Sequence, residues 1–326
     1  MADFAGKTVL VTGGNGFVGG HLLATLVAAG CGACHATALT PLPATGGINW
    51  HVLDITERAA TLDLVKDIAP DLVFHLAAQS HVPTGFSQPE LTWAVNLNGT
   101  LNLLEATARA NPAAIFINIG SADCYGGSFR AGQALDESAP FQPLNPYAAS
   151  KAAADLAACQ YAATTPLKVI RARPFNHSGP GQGESFVLPA FAAQIARIEA
   201  GLQAPQIAVG DLSGERDFLH ISDVVDAYLT LAREARHIAS GSAFNIASGE
   251  AVTIASLLDQ LLAQSPVPIP VVQDPARLRP VDIPRIAGDN SALRLATGWR
   301  PRLTRSQLLT DLLEHWRQQA RLEALL

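Results

Sequence analysis

Charge is scarce in this chain and cysteine scarcer. Of 326 residues 15% are charged, with 22 Lys and Arg against 28 Asp and Glu, and no basic tract builds up anywhere. A net charge of −6 without such a tract argues against nucleic acid or an anionic membrane as the main partner, while local arginines remain free to hold a small anion. Four cysteines do not make a disulfide framework in a chain of this length. Cys31 and Cys34 have the spacing of a redox or zinc pair, but Cys124 and Cys159 supply no matching second pair. We therefore read Cys34 as a small core residue and Cys31 as a loop residue, and expect no metal. No uninterrupted apolar stretch is long enough to span a bilayer, and no basic, hydrophobic leader precedes the first apolar run, so the expectation is a cytoplasmic protein with no membrane contact. Internal repeats and low-complexity tracts are also lacking.

What is present is patterned for a large core, since 48% of the residues are hydrophobic. The run Lys7 to Thr12 reads as a short strand leading straight into Gly13, Gly16 and Gly19, followed by a helical pattern through Leu22, Leu23, Leu26 and Val27. In that strand-to-helix setting the glycines suit a tight turn, a close backbone approach to a pyrophosphate and helix-on-strand packing, with the helix N-terminus facing the anion. Nucleotide binding is the expectation.

Farther on, Tyr147 and Lys151 stand one helical turn apart, which puts a phenol and an ammonium on one face. A phenol of ordinary pKa near 10 is a poor proton donor at neutrality, and a neighbouring cation favours its anion. The same spacing also marks ordinary helix surfaces, so its weight comes from its company.

Apolar runs at His35 to Leu39, Leu72 to Leu76, Ile115 to Ile119 and Leu167 to Ile170 alternate with helical ones near Thr61 to Ile68, Glu90 to Ala110 and Tyr147 to Ala163. Such alternation predicts an α/β protein with a doubly wound, parallel Rossmann-type sheet covered on both faces. After about Arg173 prolines and glycines interrupt the pattern, which predicts a smaller mixed α/β substrate-binding lobe. We assign residues 1–173, with about 216–247, to the dinucleotide-binding domain, and about 174–215 and 248–326 to the second domain. A ligand site is expected in the cleft between them.

Read in order, Thr12 to Gly19, Leu53-Asp54, His75 to Gln79, Asn96 to Thr100, Ser121 to Gly126, Tyr147 to Lys151, Arg173 to His177, Arg216 to Phe218 and Gly298 to Pro301 resemble the extended short-chain dehydrogenase/reductases that act on sugar nucleotides. The likeness covers nearly the whole chain. Within that family, Asn176 to Gln182 and Asp274 to Arg279 are most similar to the branch that reduces GDP-4-keto-6-deoxy-D-mannose.

The resemblance implies that Ser121, Tyr147 and Lys151 are catalytic, with Tyr147 giving the proton and Lys151 both lowering the phenol pKa and holding the nicotinamide ribose. It implies a cofactor site formed by Gly13, Asn15, Gly16, Phe17, Val18, Gly19, Thr37, Asp54, Ile55, Leu76, Ala77, Ala78, Gln79, Asn96, Tyr147, Lys151, Pro174 and Phe175. Asn96 is expected to brace the active-site helix. Substrate contacts fall on Ser121, Asp123, Tyr147, Asn176, Arg216 and Arg279, the arginines suiting a diphosphate. Guanine recognition is expected in the stretch holding Phe186, Val187 and Gln194, with no single contact assigned. At the end of the second strand, Ala36 to Thr40 offers neither an acid for a ribose 2′-hydroxyl nor an arginine for a 2′-phosphate. NADP(H) is preferred there and NAD(H) possible, with Arg58 or His35 as candidate sources of charge.

The implied activity is NAD(P)H-dependent reduction of the C4 keto group of a GDP-linked deoxyhexose to GDP-D-rhamnose. A GDP-mannose 4,6-dehydratase is the alternative, but its pattern has a glutamate base two residues before the Tyr-Gly pair, where this chain has Asp123 with Ala122 beside it. A C4 epimerase or another 4-ketoreductase also remains open, as does a nicotinamide-sensing regulator, which the retained Ser121, Tyr147 and Lys151 disfavour. A homodimer through a four-helix bundle, with Ala152, Ala153, Leu156, Ala157 and Gln160 on its face, is implied as well.

Overall fold

In the computed structural model, which describes residues 4–44, 46–277 and 283–325, the first apolar run forms strand β1 (Thr8–Thr12) and leads into helix α1 (Phe17–Ala28). Two glycines of the turn answer to different constraints. Gly13 has φ 67°, and a Cβ there would press on the Ala77 backbone at 2.9 Å. Gly19 lies inside α1 with ordinary dihedrals, but its Cβ would run into the Gly13 carbonyl and the Gly14 backbone. One glycine permits a left-handed turn and the other lets the helix sit on the turn.

Strands β2 (Ala33–Ala38) and β3 (Ile48–Val52) come next, then helix α2 (Arg58–Ile68) and β4 (Leu72–His75). β3 has no counterpart among the expected runs. It is the sheet's edge, none of its residues is fully buried, and so it lacks the continuous apolar signature of its neighbours. Past β4, short helices α3 (Val82–Ser87) and α4 (Pro89–Trp93) reach α5 (Gly99–Ala110) through a π-helical turn at Ala94–Asn98. The single helix expected near Glu90 to Ala110 is therefore two helices joined by a wider turn. Strand β5 (Ile115–Ile119), a 3₁₀ segment at Ala122–Ala131, helix α6 (Pro146–Thr164) and β6 (Lys168–Pro174) complete this part.

The chain then makes β7 (Asn176–Ser178), α7 (Val187–Glu199), β8 (Ile207–Val209), β9 (Glu215–His220) and α8 (Ile221–Arg233) before β10 (Ala243–Ile246) returns to the large sheet. Among the described residues that sheet has seven strands, all parallel, in the order β10-β6-β5-β4-β1-β2-β3. Connection direction reverses at β1, so a crevice opens beyond the carboxyl ends of β1 and β4. Residue alternation sends Val9, Val11, Ile117 and Ile119 to one face against Leu22, Leu26, Val224 and Tyr228 of α1 and α8. Leu10, Val73 and Phe116 go to the other face, against Val65, Leu103, Leu104 and Ala158 of α2, α5 and α6.

The remaining elements are β11 (Ala251–Thr253), α9 (Ile254–Leu262), β12 (Val271–Gln273), β13 (Arg285–Ile286), α10 (Ser291–Thr297) and α11 (Arg305–Glu323). A separate apolar cluster joins Leu188 and Ile195 of α7, Leu257 and Leu261 of α9, and Leu309 and Leu312 of α11. Here the strands are short: β9 pairs with β7, β11 and β13, and β12 pairs with β8. Asp217 thus belongs to this smaller sheet, while α8 just after it covers the large one.

Candidate active site

Helix α6 begins where its sequence can start a helix. Asn145 caps it by accepting from the Ala148 amide at 2.8 Å, and Pro146 takes the first helical position. Tyr147 and Lys151 then stand a turn apart beside the end of β5. Ser121 sits at that strand end, where its hydroxyl accepts from the Asp123 amide at 3.2 Å and acts on the Tyr147 phenol in favour of its anion. Ser121, Tyr147 and Lys151 are brought together as expected.

The electrostatics differ from the expectation. Burial pushes the Tyr147 phenol well above its ordinary pKa, the Asp123 carboxylate adds to this, and the Ser121 hydroxyl works the other way. Lys151 is not among the groups acting on the phenol. Its ammonium donates to the Ile119 carbonyl at 2.5 Å, and burial holds it down to about 8, against the influence of Cys124 and Asp155. In the protein alone, Ser121 rather than Lys151 favours the phenolate.

A buried polar chain braces this group from behind. Asn96, in the π-helical turn, accepts from the Gln79 amide at 2.8 Å and donates to the Gln79 carbonyl at 3.0 Å and to Ser150 Oγ at 2.9 Å. Ser150 in turn donates to the Tyr147 carbonyl at 2.8 Å. On the other side, Thr100 donates to the Asn96 carbonyl at 2.7 Å, so its lone pair takes the Nε2 proton of His75 at 2.8 Å. His75 Nδ1 is left to accept from Thr12 at 2.9 Å. Burial, with Lys151 adding to it, holds His75 down to about 3. It is a fixed neutral relay.

A cavity of about 790 Å³ opens in front of these residues. One end is walled by Gly13, Asn15, Gly16 and Phe17 to Gly19, with Thr37, Asp54, Ile55 and Leu76 to Ala78; the other by Ser121, Asp123, Tyr147, Lys151 and Pro174 to Asn176. Gln79 and Asn96, expected at the cofactor, do not line it; they are its scaffold. Thr37 holds the glycine turn, its carbonyl and hydroxyl accepting from the Gly14 and Gly13 amides at 3.0 and 3.3 Å. No side chain caps the N-terminus of α1, which leaves its first amides for an anionic group. Together with the close Gly13 and Gly19 backbone, this fits a dinucleotide pyrophosphate.

Neither proposed source of charge for a 2′-phosphate reaches the cavity wall. Arg58 forms two hydrogen bonds with Glu105, at 2.9 and 2.6 Å, and His35 pairs with His51 at 2.9 Å. Arg216 also lies off the wall, donating to the Glu215 carbonyl at 2.8 Å, yet near enough to oppose the upward push of burial on Asp123. Arg279 lies outside the described residues. Phe186 lines the cavity, whereas Gln194 bridges Ala190 and Ala208 and has no free group to offer.

Among the cavity residues that sequence reasoning did not assign are His177, Gln182 and Tyr228. His177 stacks on Phe17 with ring centres 6.3 Å apart. Gln182 donates from Nε2 to the His177 carbonyl at 3.2 Å, which leaves its buried Oε1 without a partner among the described residues. Tyr228 reaches the cavity from α8. Both His177 and Gln182 fall in the motif Asn176 to Gln182, so their place was signalled; nothing marked Tyr228 apart from its helix.

A glycine turn below an uncapped helix, with a Ser-Tyr-Lys group across the same cavity, defines a dinucleotide-dependent enzyme of the short-chain dehydrogenase/reductase class. The chain belongs to the GDP-mannose 4,6 dehydratase family, whose profile matches residues 10–312. It is 41% identical to the GDP-6-deoxy-D-mannose reductase of Pseudomonas aeruginosa over 97% of this chain and 99% of that protein. Similarity to a GDP-mannose 4,6-dehydratase of Yersinia enterocolitica is lower, 29% identity over 85% of this chain and 81% of the other. Among solved structures, RMD from Pseudomonas aeruginosa complexed with NADPH superposes with a TM-score of 0.84 at 39% identity, over 96% of this chain and 99% of that one.

Proposed function

We propose that this enzyme uses NADPH to reduce the C4 keto group of GDP-4-keto-6-deoxy-D-mannose to the alcohol of GDP-D-rhamnose. The observation that carries the reading is that Ser121, Tyr147 and Lys151 line one cavity, with Ala122 and Asp123 where the dehydratase pattern has its acid and glutamate base. The likeness to the Pseudomonas reductase supports it.

Gly13, Asn15, Gly16 and the first amides of α1 would hold the dinucleotide pyrophosphate, Asp54 the adenine, and Lys151 the nicotinamide ribose. When bound, NADPH supplies hydride to C4. Ser121 orients the carbonyl oxygen, and Tyr147 gives its phenolic proton to that oxygen as the C–O π bond becomes an alkoxide. Asn176, Arg216 and Arg279 hold the diphosphate in this reading, and the smaller lobe of about 174–215 and 248–326 holds the nucleoside.

Incubating the protein with GDP-4-keto-6-deoxy-D-mannose and NADPH, with the sugar identified by NMR, tests the proposal. Absence of a C4 alcohol would overturn it. We place the enzyme in the cytoplasm, and no described helix is long and apolar enough to cross a membrane. A homodimer built on α4, α5 and α6 is supported by the exposed Trp93 and Leu156; Ala152, by contrast, is packed inside the subunit. Light scattering reads the mass.

A further inference from the structure

Tyr228 has a hydroxyl that the fold leaves unused. Its side chain is fully buried, it lies on the wall of the cavity, and its oxygen has no hydrogen-bond partner among the described residues. Such a group is costly to bury, by about 1–3 kcal/mol, so an unpaired one on a ligand cavity calls for a partner in the ligand.

Its approach narrows what that ligand group is. Helical side chains lean toward the helix N-terminus, which carries the ring along α8 toward Ile221, the residue packed beneath Gly179. α8 and α6 cover opposite faces of the sheet, so Tyr228 and Tyr147 enter the cavity past the strand ends from opposite sides. The two phenols are close enough to influence each other electrostatically. Tyr147 marks the place of the substrate carbonyl, and the hydride-giving ring must lie beside it. The hydrogen-bonding substituent that this ring carries is the carboxamide at its edge, and its oxygen is the acceptor that a phenol on the facing wall would take. Burial pushes the Tyr228 phenol far above its ordinary pKa, so it stays protonated and can donate.

We propose that Tyr228 is a nicotinamide-binding residue whose hydroxyl donates a hydrogen bond to the carboxamide oxygen and fixes the rotation of the ring over the reaction site. This rests on the reading of the cavity as an NADPH site. Its consequence is that the ring face presented to C4 is set from beneath the sheet, by a residue outside the Ser-Tyr-Lys group.

The test is Tyr228→Phe, which removes one oxygen and keeps the ring. NADPH binding, followed by the quenching of protein fluorescence, should weaken by about 3- to 30-fold, the range for one lost hydrogen bond to a buried partner. Binding of 2′-phospho-ADP-ribose, which lacks the nicotinamide, should be equal in the two proteins. Ligand-free Tyr228→Phe should melt at or above the wild-type temperature, because the deleted hydroxyl has no protein partner. Equal NADPH affinity in both proteins would overturn the proposal, as would an equal loss for the fragment or a clear drop in melting temperature of the free variant. A wild-type protein that binds neither ligand would instead defeat the NADPH reading beneath it.

Discussion

The two ends of the cavity differ in how their polar groups are satisfied before any ligand arrives. At the dinucleotide end, Thr37 already holds the Gly13 and Gly14 amides, and Asp54 accepts from the Thr56 amide and hydroxyl at 2.9 and 2.8 Å. At the sugar end, among the described residues, Gln182 Oε1 is unpaired, Asp123 feels Arg216 through space without an ion pair, and the Arg216 guanidinium has only a backbone carbonyl. Apart from the first amides of α1, the polar groups of the first end are held by the protein alone, and the second end is completed by its ligand. A preorganised wall loses little freedom on binding, whereas an incomplete one has its strongest interactions still to make. Substitutions should therefore separate cleanly, with cofactor affinity governed at one end and turnover and sugar affinity at the other.

The sharpest break in that comparison is Tyr147→Phe. It removes the proposed proton donor but none of the glycine turn, so turnover should fall by about two to four orders of magnitude while the NADPH dissociation constant changes little. Stopped-flow oxidation of NADPH and equilibrium titration read the two quantities. Turnover near that of the wild type would remove Tyr147 from its proposed role. Next in size is Asn96→Ala, which strands the Gln79 amide and carbonyl and Ser150 behind the site. We expect a loss of about 2–4 kcal/mol in unfolding free energy, since buried groups lose their partners, and a denaturant titration measures it. A change below about 0.5 kcal/mol would mean that the brace is not structural.

The same contrast explains what could be read from residue order alone. β1 and β4 are buried on both faces and announce themselves as apolar runs, and β5 and β6 do so with breaks at Asn118 and at Lys168, Arg171 and Arg173; edge strand β3, with Asn49 and His51 among its residues, does not. The three glycines and the Tyr147 to Lys151 turn are local patterns, so they survive in one dimension. Asn96 was legible as a brace, but its π-helical turn and its partners Gln79 and Ser150 were not, since no local pattern marks them. Tyr228 was illegible for a related reason: in sequence it is one more apolar position of an amphipathic helix, and only the path of α8 brings its oxygen to the cavity. A helical spacing fixes the face that Lys151 shares with Tyr147 but not its partner, and the Ile119 carbonyl takes the ammonium.

At the sugar end, Arg216→Ala should raise the KM for the GDP-linked substrate by about 10- to 100-fold, the range for a lost charge-assisted hydrogen bond, with the NADPH dissociation constant unchanged. Initial-rate kinetics decide it. A matched loss of NADPH affinity would dissolve the division between the two ends. A smaller effect comes from pH. Lys151 is held down to about 8, below its ordinary value, so its ammonium is present under that pH and lost above it. The rate should accordingly fall through a limb near pH 8, approaching tenfold per unit. Because the same lysine stays charged in the unfolded chain to higher pH, its contribution to stability runs the opposite way and rises between about 8 and 10.5. A rate flat to pH 10 would show that the charge of Lys151 is not required.

The smallest expected effect is a null, and it bears on the reaction class. Asp123 stands in the position of the dehydratase glutamate, and burial already favours its protonated form. Asp123→Glu restores the missing methylene and moves the carboxyl outward by about 1.5 Å, enough to correct a base that was only misplaced. Elimination, however, also needs an acid for the departing hydroxyl, and Ala122 has none to give. The variant given GDP-mannose and NADP should therefore form no 4-keto-6-deoxy sugar above the wild-type background by NMR. If the single substitution instead produces that sugar at an enzymatic rate, the site was one methylene from a lyase, and the acid that Ala122 lacks must come from elsewhere in the cavity.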